Sequence, residues 1–516
     1  MPIRIRRDKG SSNSGGGGGG RSGGGLGHIL LGALLPSFFR WFRRNPKLGI
    51  LVLLIGGGVY FFLSQNNPDL VSNILSESGN GTGLEMKEEI YDKAEVFEAL
   101  ANNAKNPMPE RESLEKYCPT RLSQGSQGSC VGWSSAYAAR TILQARATGQ
   151  DPNRIAFSPS YLYNQIALAG CQGTYLNEAM EVMKQGGSLP FSKFAYDESS
   201  CNHKPDRQEL QAASAYKTRG YNRLTASGDD YTTDLLAIRQ NLAQGAPVVI
   251  GMEVGGSFMQ SMEGREVWRP TRADYQKGGF GGHAMCVIGY DDNKEGGAFQ
   301  IMNSWGENWG KRGVFWIRYK DFKYFTREAY GLYPMGSADV PKNDKLDAKV
   351  ALIYNKTGKS IPFKHEGGIQ FSATEKLKIN TDFKVEITNS MECYTYIFGE
   401  ETDGSSYVLF PYTAKHSPYC GITGTRLFPK DHSLFADAKG RKDHFVILIS
   451  KQKLDYTKLN DYFNQAKASS YAQKVSSTLG KELIQNVSFK TGQTISFETG
   501  KNASQNMVAI VLEVDK

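Results

Sequence analysis

The stretch "SQGSQGSCVGWSSAYAAR", residues 123–140, decides how this 516-residue chain is read. Two glycines, three serines and two glutamines precede Cys130, and then the pattern turns helical. Val131, Ala138, Ile142 and Leu143, with Trp133 and Tyr137, recur at helical spacing. A thiol in the first turn of a helix sits beside unpaired backbone N–H groups and the positive end of the helix dipole. Both favour the thiolate. Gln124, six residues earlier, can bring a side-chain amide to the same point. A thiolate with a neighbouring N–H and an amide is a nucleophile with an oxyanion hole. Taken alone, Cys130 reads equally well as a small buried core residue.

A thiolate of this kind needs a base, and the chain has seven histidines. His28 lies in the N-terminal tail, His203 in a polar loop, and His365, His416, His432 and His444 beyond residue 345. His283 stands in "GGFGGHAMCVIGYDD" (278–292), at the head of an apolar strand. Gly281 and Gly282 let a backbone pass close beside it. The base needs an orienter in turn. "FQIMNSWGENWGKRGVFWIR" (299–318) ends a strand at Asn303, whose carboxamide can fix the imidazole, with Trp305 to cover that hydrogen bond from water. Each signal is weak alone; the order Cys, His, Asn, each in a fitting context, is strong.

With "QGSQGSC" (124–130), "GGHAMCVIGYDD" (281–292) and "NSWGENWGKRGVFWI" (303–317), the chain resembles the papain-like cysteine peptidases, in a divergent bacterial form. The resemblance covers about 115–335. It implies Cys130 as nucleophile, His283 as base and acid, Asn303 as orienter, Gln124 as oxyanion donor, and Gly282 and Trp305 in support. "GCQGTYLNEAMEVMKQGG" (170–187) resembles the family's glycine-rich cleft segment, which sets Gly173 beside the substrate backbone. Val131 stands where the family has an aromatic, Gln127 where it has a cysteine, and Thr174 where it has a second glycine. Loss of the cysteine at 127 frees Cys171, and the resemblance then implies a Cys171–Cys201 pair. No full-length inhibitory propeptide is visible between 64 and 110.

Outward from this region the composition changes. Residues 1–47 hold nine Lys/Arg and one Asp, so 9 − 1 = +8 of the chain's net +9 lies there and the rest is nearly neutral. That excludes nucleic acid as a partner of the folded part. Residues 10–25 are Gly/Ser-rich and cannot bury a core. The segment 26–42 reads as interfacial, so 1–47 is a disordered basic tail. "LGILVLLIGGGVYFFL" (48–63) lies within 21 uncharged residues, long enough for one transmembrane helix over 48–64. The positive flank keeps the N-terminus cytoplasmic and places the remainder outside, in a bacterial periplasm or at the cell surface. Residues 65–110 read as a linker with a helix over 84–105, more spacer than cleft shield.

The 111–335 region places helices first (130–148, 158–169, 175–185, 232–244) and strands later (247–254, 283–291, 298–303, 313–319). This is an α+β domain of two subdomains, helical and β-barrel-like. Residues 345–516 read as a separate, mostly β, sandwich-like domain, with strands at 382–388, 394–398, 444–450 and 507–514, a hairpin turn at 401–405 and a polar helix near 455–483. Cys393 and Cys420 there either form a disulfide or remain two buried thiols. This domain is a candidate for an envelope partner.

The expected activity is hydrolysis of a polypeptide substrate through an acyl-enzyme, without metal or cofactor. Two other readings compete: an acyl transferase or peptide ligase that resolves the thioester with an amine, and a non-catalytic envelope scaffold on a peptidase fold.

Overall fold

The structure, a computed structural model, describes residues 3–7, 81–224, 233–333, 345–500 and 505–516. The interfacial segment 26–42 and the membrane-span candidate 48–64 lie outside the described residues. Among the described residues no helix is long and apolar enough to cross a membrane.

The helical half begins at Cys130. The α-helical turn Cys130–Gly132 runs straight into a π-helical stretch Trp133–Arg140 and an α-helix Thr141–Thr148. Gly149, in the left-handed conformation at φ 70°, ends it. The helix Pro159–Ile166 starts where the Ser158 side chain accepts the Tyr161 N–H, with proline at the first helical position. Leu176–Gln185 buries Leu176, Ala179, Met180 and Met183 on one face. All three match the sequence expectation within a few residues, as does Leu235–Ala243.

The β half is an antiparallel stack. Thr326–Tyr333, Val248–Val254, Gly281–Asp291, Ala298–Met302 and Val314–Arg318 pair in that spatial order. The strand Gly281–Asp291 is central and pairs Met252 with His283. Ala136, Val249, Ile250, Ala284, Ile288 and Phe315 close one continuous core between the halves. The cleft therefore has a helix N-terminus on one wall and strand ends on the other.

Residues 345–516 form the expected sandwich. Asp347–Tyr354 and Asp382–Asn389 lie in one sheet, and Cys393–Glu400, Lys442–Ser450 and Met507–Asp515 in the other. Val350, Phe383 and Val385 meet Phe445, Ile447 and Ile510 between them. The second sheet is apolar on its outer face too, where Phe398, Val446 and Leu448 pack on Phe463 and Val475 of two helices. That double burial is why "HFVILIS" runs apolar without alternation.

Four expectations change. The helix expected over 84–105 is one turn, Glu88–Tyr91, followed by a short strand, Val96–Phe97. Its apolar residues serve different surfaces: Leu84 and Tyr91 join the core of the 111–333 region, while Leu100 and Phe97 pack with Tyr419 and Ile422 of the sandwich. A continuous helix could not reach both. The polar helix near 455–483 is two helices, Tyr456–Gln465 and Tyr471–Leu479, the second capped by the Ser470 side chain. Ile3–Arg7, placed in a disordered tail, pairs antiparallel with His432–Ala436; the sequence alternates isoleucine and arginine there, the period of a strand. Cys393 and Cys420 face each other in register across two strands as free, buried thiols, with Cys420 Sγ 3.6 Å from Thr395 Oγ1. The disulfide alternative gives way to packing, since a buried thiol behaves as a small hydrophobe with a weak hydrogen bond.

Candidate active site

Cys130 stands at the N-terminus of its helix, wholly buried. Its sulfur accepts from the Ala284 N–H at 3.4 Å, and the N–H groups of Gly83 and Val131 also act on it. His283, immediately before Ala284 on the central strand, is buried as well. Its Nε2 lies 2.7 Å from Asn303 Oδ1. Its Nδ1 is buried without a hydrogen-bond partner. Trp305 stacks on the imidazole, with ring centroids 4.5 Å apart at 26°. Asn303 follows the strand Ala298–Met302; its N–H donates to Gly313 and its Oδ1 also accepts the Ser304 N–H at 2.8 Å. The sulfur thus meets the backbone one residue after His283, whose ring contacts Asn303 and Trp305.

Gln124 is buried and held at both ends of its amide. Its Nε2 donates to the Gln127 carbonyl at 2.8 Å and its Oε1 accepts from Ser304 Oγ. An amide nitrogen carries a second hydrogen, so one donor remains to serve the groove. Ser304 and Tyr196 are positioning residues that the sequence reading missed. The Tyr196 hydroxyl joins Ser129 Oγ and the Gln124 carbonyl, each at 2.7 Å, and fixes the loop ahead of Cys130. Tyr196 carries no motif of its own; Ser304 stands inside the 303–317 motif, where no role was read for it.

The groove is occupied by residues 81–85 of the same chain. The Gly81 N–H donates to the Gly125 carbonyl at 2.9 Å and Trp305 Nε1 donates to the Gly81 carbonyl at 3.0 Å. The Thr174 N–H donates to the Gly83 carbonyl at 2.9 Å, and the Glu85 N–H to the Thr174 carbonyl at 3.0 Å. The Leu84 N–H donates to the Gly282 carbonyl at 3.1 Å, while its side chain lies against Gly251 and Leu176. The approach is close enough to require glycine: a Cβ on Gly83 would stand 2.0 Å from the Gly128 carbonyl oxygen. Gly173, at φ 125°, faces the Gly83 carbonyl. Thr174 thus pairs through its backbone although it replaces a glycine, because its hydroxyl turns away to the Ile166 carbonyl. The linker expected as a spacer puts an extended segment in the cleft, bridged to Thr174 at Leu84, and "GNGTGLE" (79–85) was the overlooked signal.

This occupant is not placed for attack. Gly83 presents an N–H to the sulfur, and its carbonyl is bonded to Thr174 rather than directed at Gln124. Burial beneath it pushes the Cys130 thiol up to about 11 and the His283 imidazole down to about 4, the Asn303 hydrogen bond opposing the latter only in part. Thiol and imidazole are both neutral in this closed state.

Cys171 and Cys201 form a disulfide with Cα atoms 5.8 Å apart, as the resemblance implied. It ties the cleft loop before Gly173 to the loop that carries Tyr196.

Residues 110–335 match the family model described as papain family cysteine protease. This region is similar to papain-family cysteine proteases. An uncharacterized peptidase C1-like protein of Acanthamoeba polyphaga mimivirus is 29% identical over 210 residues, which cover 39% of this chain and 65% of that one. Cathepsin K of Mus musculus is 29% identical over 196 residues, 37% of this chain and 53% of that one. The chain therefore spans between half and two-thirds of the length of these relatives. Among solved structures, xylellain, a cysteine protease from Xylella fastidiosa, is 23% identical with a TM-score of 0.41, covering 50% of this chain and 97% of that one.

Proposed function

We propose that the chain is a cysteine endopeptidase held latent by its own residues 81–85. The observation that carries this reading is a groove that binds an extended peptide by its main chain directly over a cysteine, beside an Asn-oriented histidine. Once the segment leaves, Cys130 Sγ and His283 regain solvent and form the thiolate–imidazolium pair. The sulfur attacks the scissile carbonyl carbon, and the Cys130 N–H and the second Gln124 amide hydrogen receive the oxyanion. His283 gives its Nδ1 proton to the departing amine nitrogen, the C–N bond breaks, and a thioester remains. Water, deprotonated by His283, then attacks that thioester, the C–S bond breaks, and the acid product leaves. The unpartnered Nδ1 supports this assignment, because a buried polar atom without a partner is costly unless it has work in another state.

Residues 48–64 tether the enzyme to a membrane with the protease domain on the extracytoplasmic side. Their 21-residue uncharged context and basic flank support this, as does the Cys171–Cys201 disulfide, which persists in oxidising compartments.

The test is hydrolysis of a peptide library by the chain after limited proteolysis of the 81–85 segment. Cleaved products that disappear in Cys130→Ala support the peptidase. Products carrying an added amine instead of water would favour the acyl transferase. Cys130 labelling without turnover would favour the scaffold reading.

A further inference from the structure

We propose that the C-terminal sandwich is a clamp that holds the groove-filling segment in place, so that release of the segment requires release of the sandwich. The proposal rests on the latency described above and assigns its control.

Beyond the groove, the segment stays on the protease through the buried Tyr91 and through Asp92, which pairs with Arg223 at 3.0 Å, and then runs between the two domains. Val96–Phe97 is a strand shared by both: it pairs parallel with His416–Ser417 of the sandwich on one side and with Arg223 of the protease on the other. The Val96 N–H donates to the Lys415 carbonyl at 2.8 Å. The Ala101 N–H donates to the Thr425 carbonyl at 2.8 Å, and Asn106 exchanges two hydrogen bonds of 2.8 Å with the Thr425 backbone. Arg426 Nε donates to the Glu98 carbonyl at 2.9 Å, and the Lys430 N–H to the Glu98 carboxylate at 2.7 Å. Leu100 and Phe97 complete an apolar cluster with Tyr419 and Ile422.

Charge complements this fit. Residues 85–98 hold six acidic and two basic side chains. The sandwich meets them with Lys415 opposite Asp92 at 3.4 Å and Lys453 opposite Glu95 at 2.8 Å. By contrast, the groove itself holds residues 81–85 with a few main-chain hydrogen bonds and one leucine. A short tether of that kind, freed from the sandwich, would fray.

The test is the rate at which an epoxide probe labels Cys130 in the full chain at neutral pH. Lys415→Glu with Lys453→Glu changes two exposed side chains remote from the groove. It should raise labelling by about tenfold, since two reversed ion pairs each lose roughly a factor of several. Adding Glu95→Lys, which re-forms the pair with position 453, should restore part of the slow rate; Asp92 is kept because it also pairs with Arg223 of the protease at 3.0 Å. Val96→Pro, which removes the donor to Lys415, should raise labelling further, with an unchanged far-ultraviolet spectrum showing that the fold is kept. Gly83→Val is the reference, because it expels the segment from the groove directly. Fast labelling in Gly83→Val with wild-type rates in both clamp variants would overturn the clamp and leave latency standing. Slow labelling in Gly83→Val would overturn the latency on which the clamp rests.

Discussion

At the residue scale the site depends on one hydrogen bond. Asn303 holds His283 Nε2 at 2.7 Å, and Trp305 roofs the pair. A hydrogen bond to a group that becomes charged is worth about 1.5–3 kcal/mol. Asn303→Ala should therefore lower kcat/KM of the opened enzyme by on the order of 10- to 100-fold. Gln should restore little, because its longer side chain misplaces the oxygen. The same residues give a pH dependence. His283 is held down to about 4 in the closed groove, against its ordinary 6.5 when exposed. In Cys130→Ala, where no thiolate pairs with the opened imidazole, the closed state is thus fully favoured above pH 6.5 and loses stability as pH falls toward 4, by about 1.4 kcal/mol per unit. Hydrogen exchange at the Leu84 and Glu85 amides should accelerate over that window, and His283→Gln should flatten the response. Cys130, His283, Asn303 and Gln124 could be singled out in the sequence because each stands in a motif whose local structure is strongly specified. Tyr196 was not, since a hydroxyl that positions a loop carries no pattern, and the role of Ser304 was not, although it stands inside the 303–317 motif.

At the scale of elements, the helix from Cys130 and the four strands that frame the groove were legible from spacing and apolar runs. The 84–105 segment was not. Its apolar residues recur at helical intervals, yet Leu84, Tyr91 and Phe97 each bury against a different partner. Tertiary contact overrides propensity in such a segment. Gly83 tests its role in the cleft. Because a Cβ there would stand 2.0 Å from the Gly128 oxygen, Gly83→Val should eject the segment while leaving the fold's melting temperature within a few degrees. Basal peptide hydrolysis should rise at least about tenfold, a lower bound set by loss of roughly 1.4 kcal/mol of closure.

At the scale of the molecule, the strand Ile3–Arg7 on the sandwich constrains how the chain is threaded. A single span at 48–64 would place residues 3–7 and residues 432–436 on opposite sides of a bilayer. That strand and the proposed tether therefore exclude one another in the same molecule. Cysteines introduced at Ile5 and Leu434, which pair in register, distinguish the two. Crosslinking in detergent but not in membranes fits a single-pass tether, whereas crosslinking in both contradicts it. The sandwich itself was legible as a fold but not as a clamp, because the sequence does not tell which surface meets the 81–106 segment.

The most direct measurement is the second-order rate of Cys130 alkylation by iodoacetamide in the purified chain, before and after the segment is cut within 81–85. With the thiol held near 11 under the closed segment, alkylation at pH 7 should be slow before cutting and at least about 100-fold faster after, and absent in Cys130→Ala. Equal rates before and after cutting would contradict a latent nucleophile beneath an inhibitory segment.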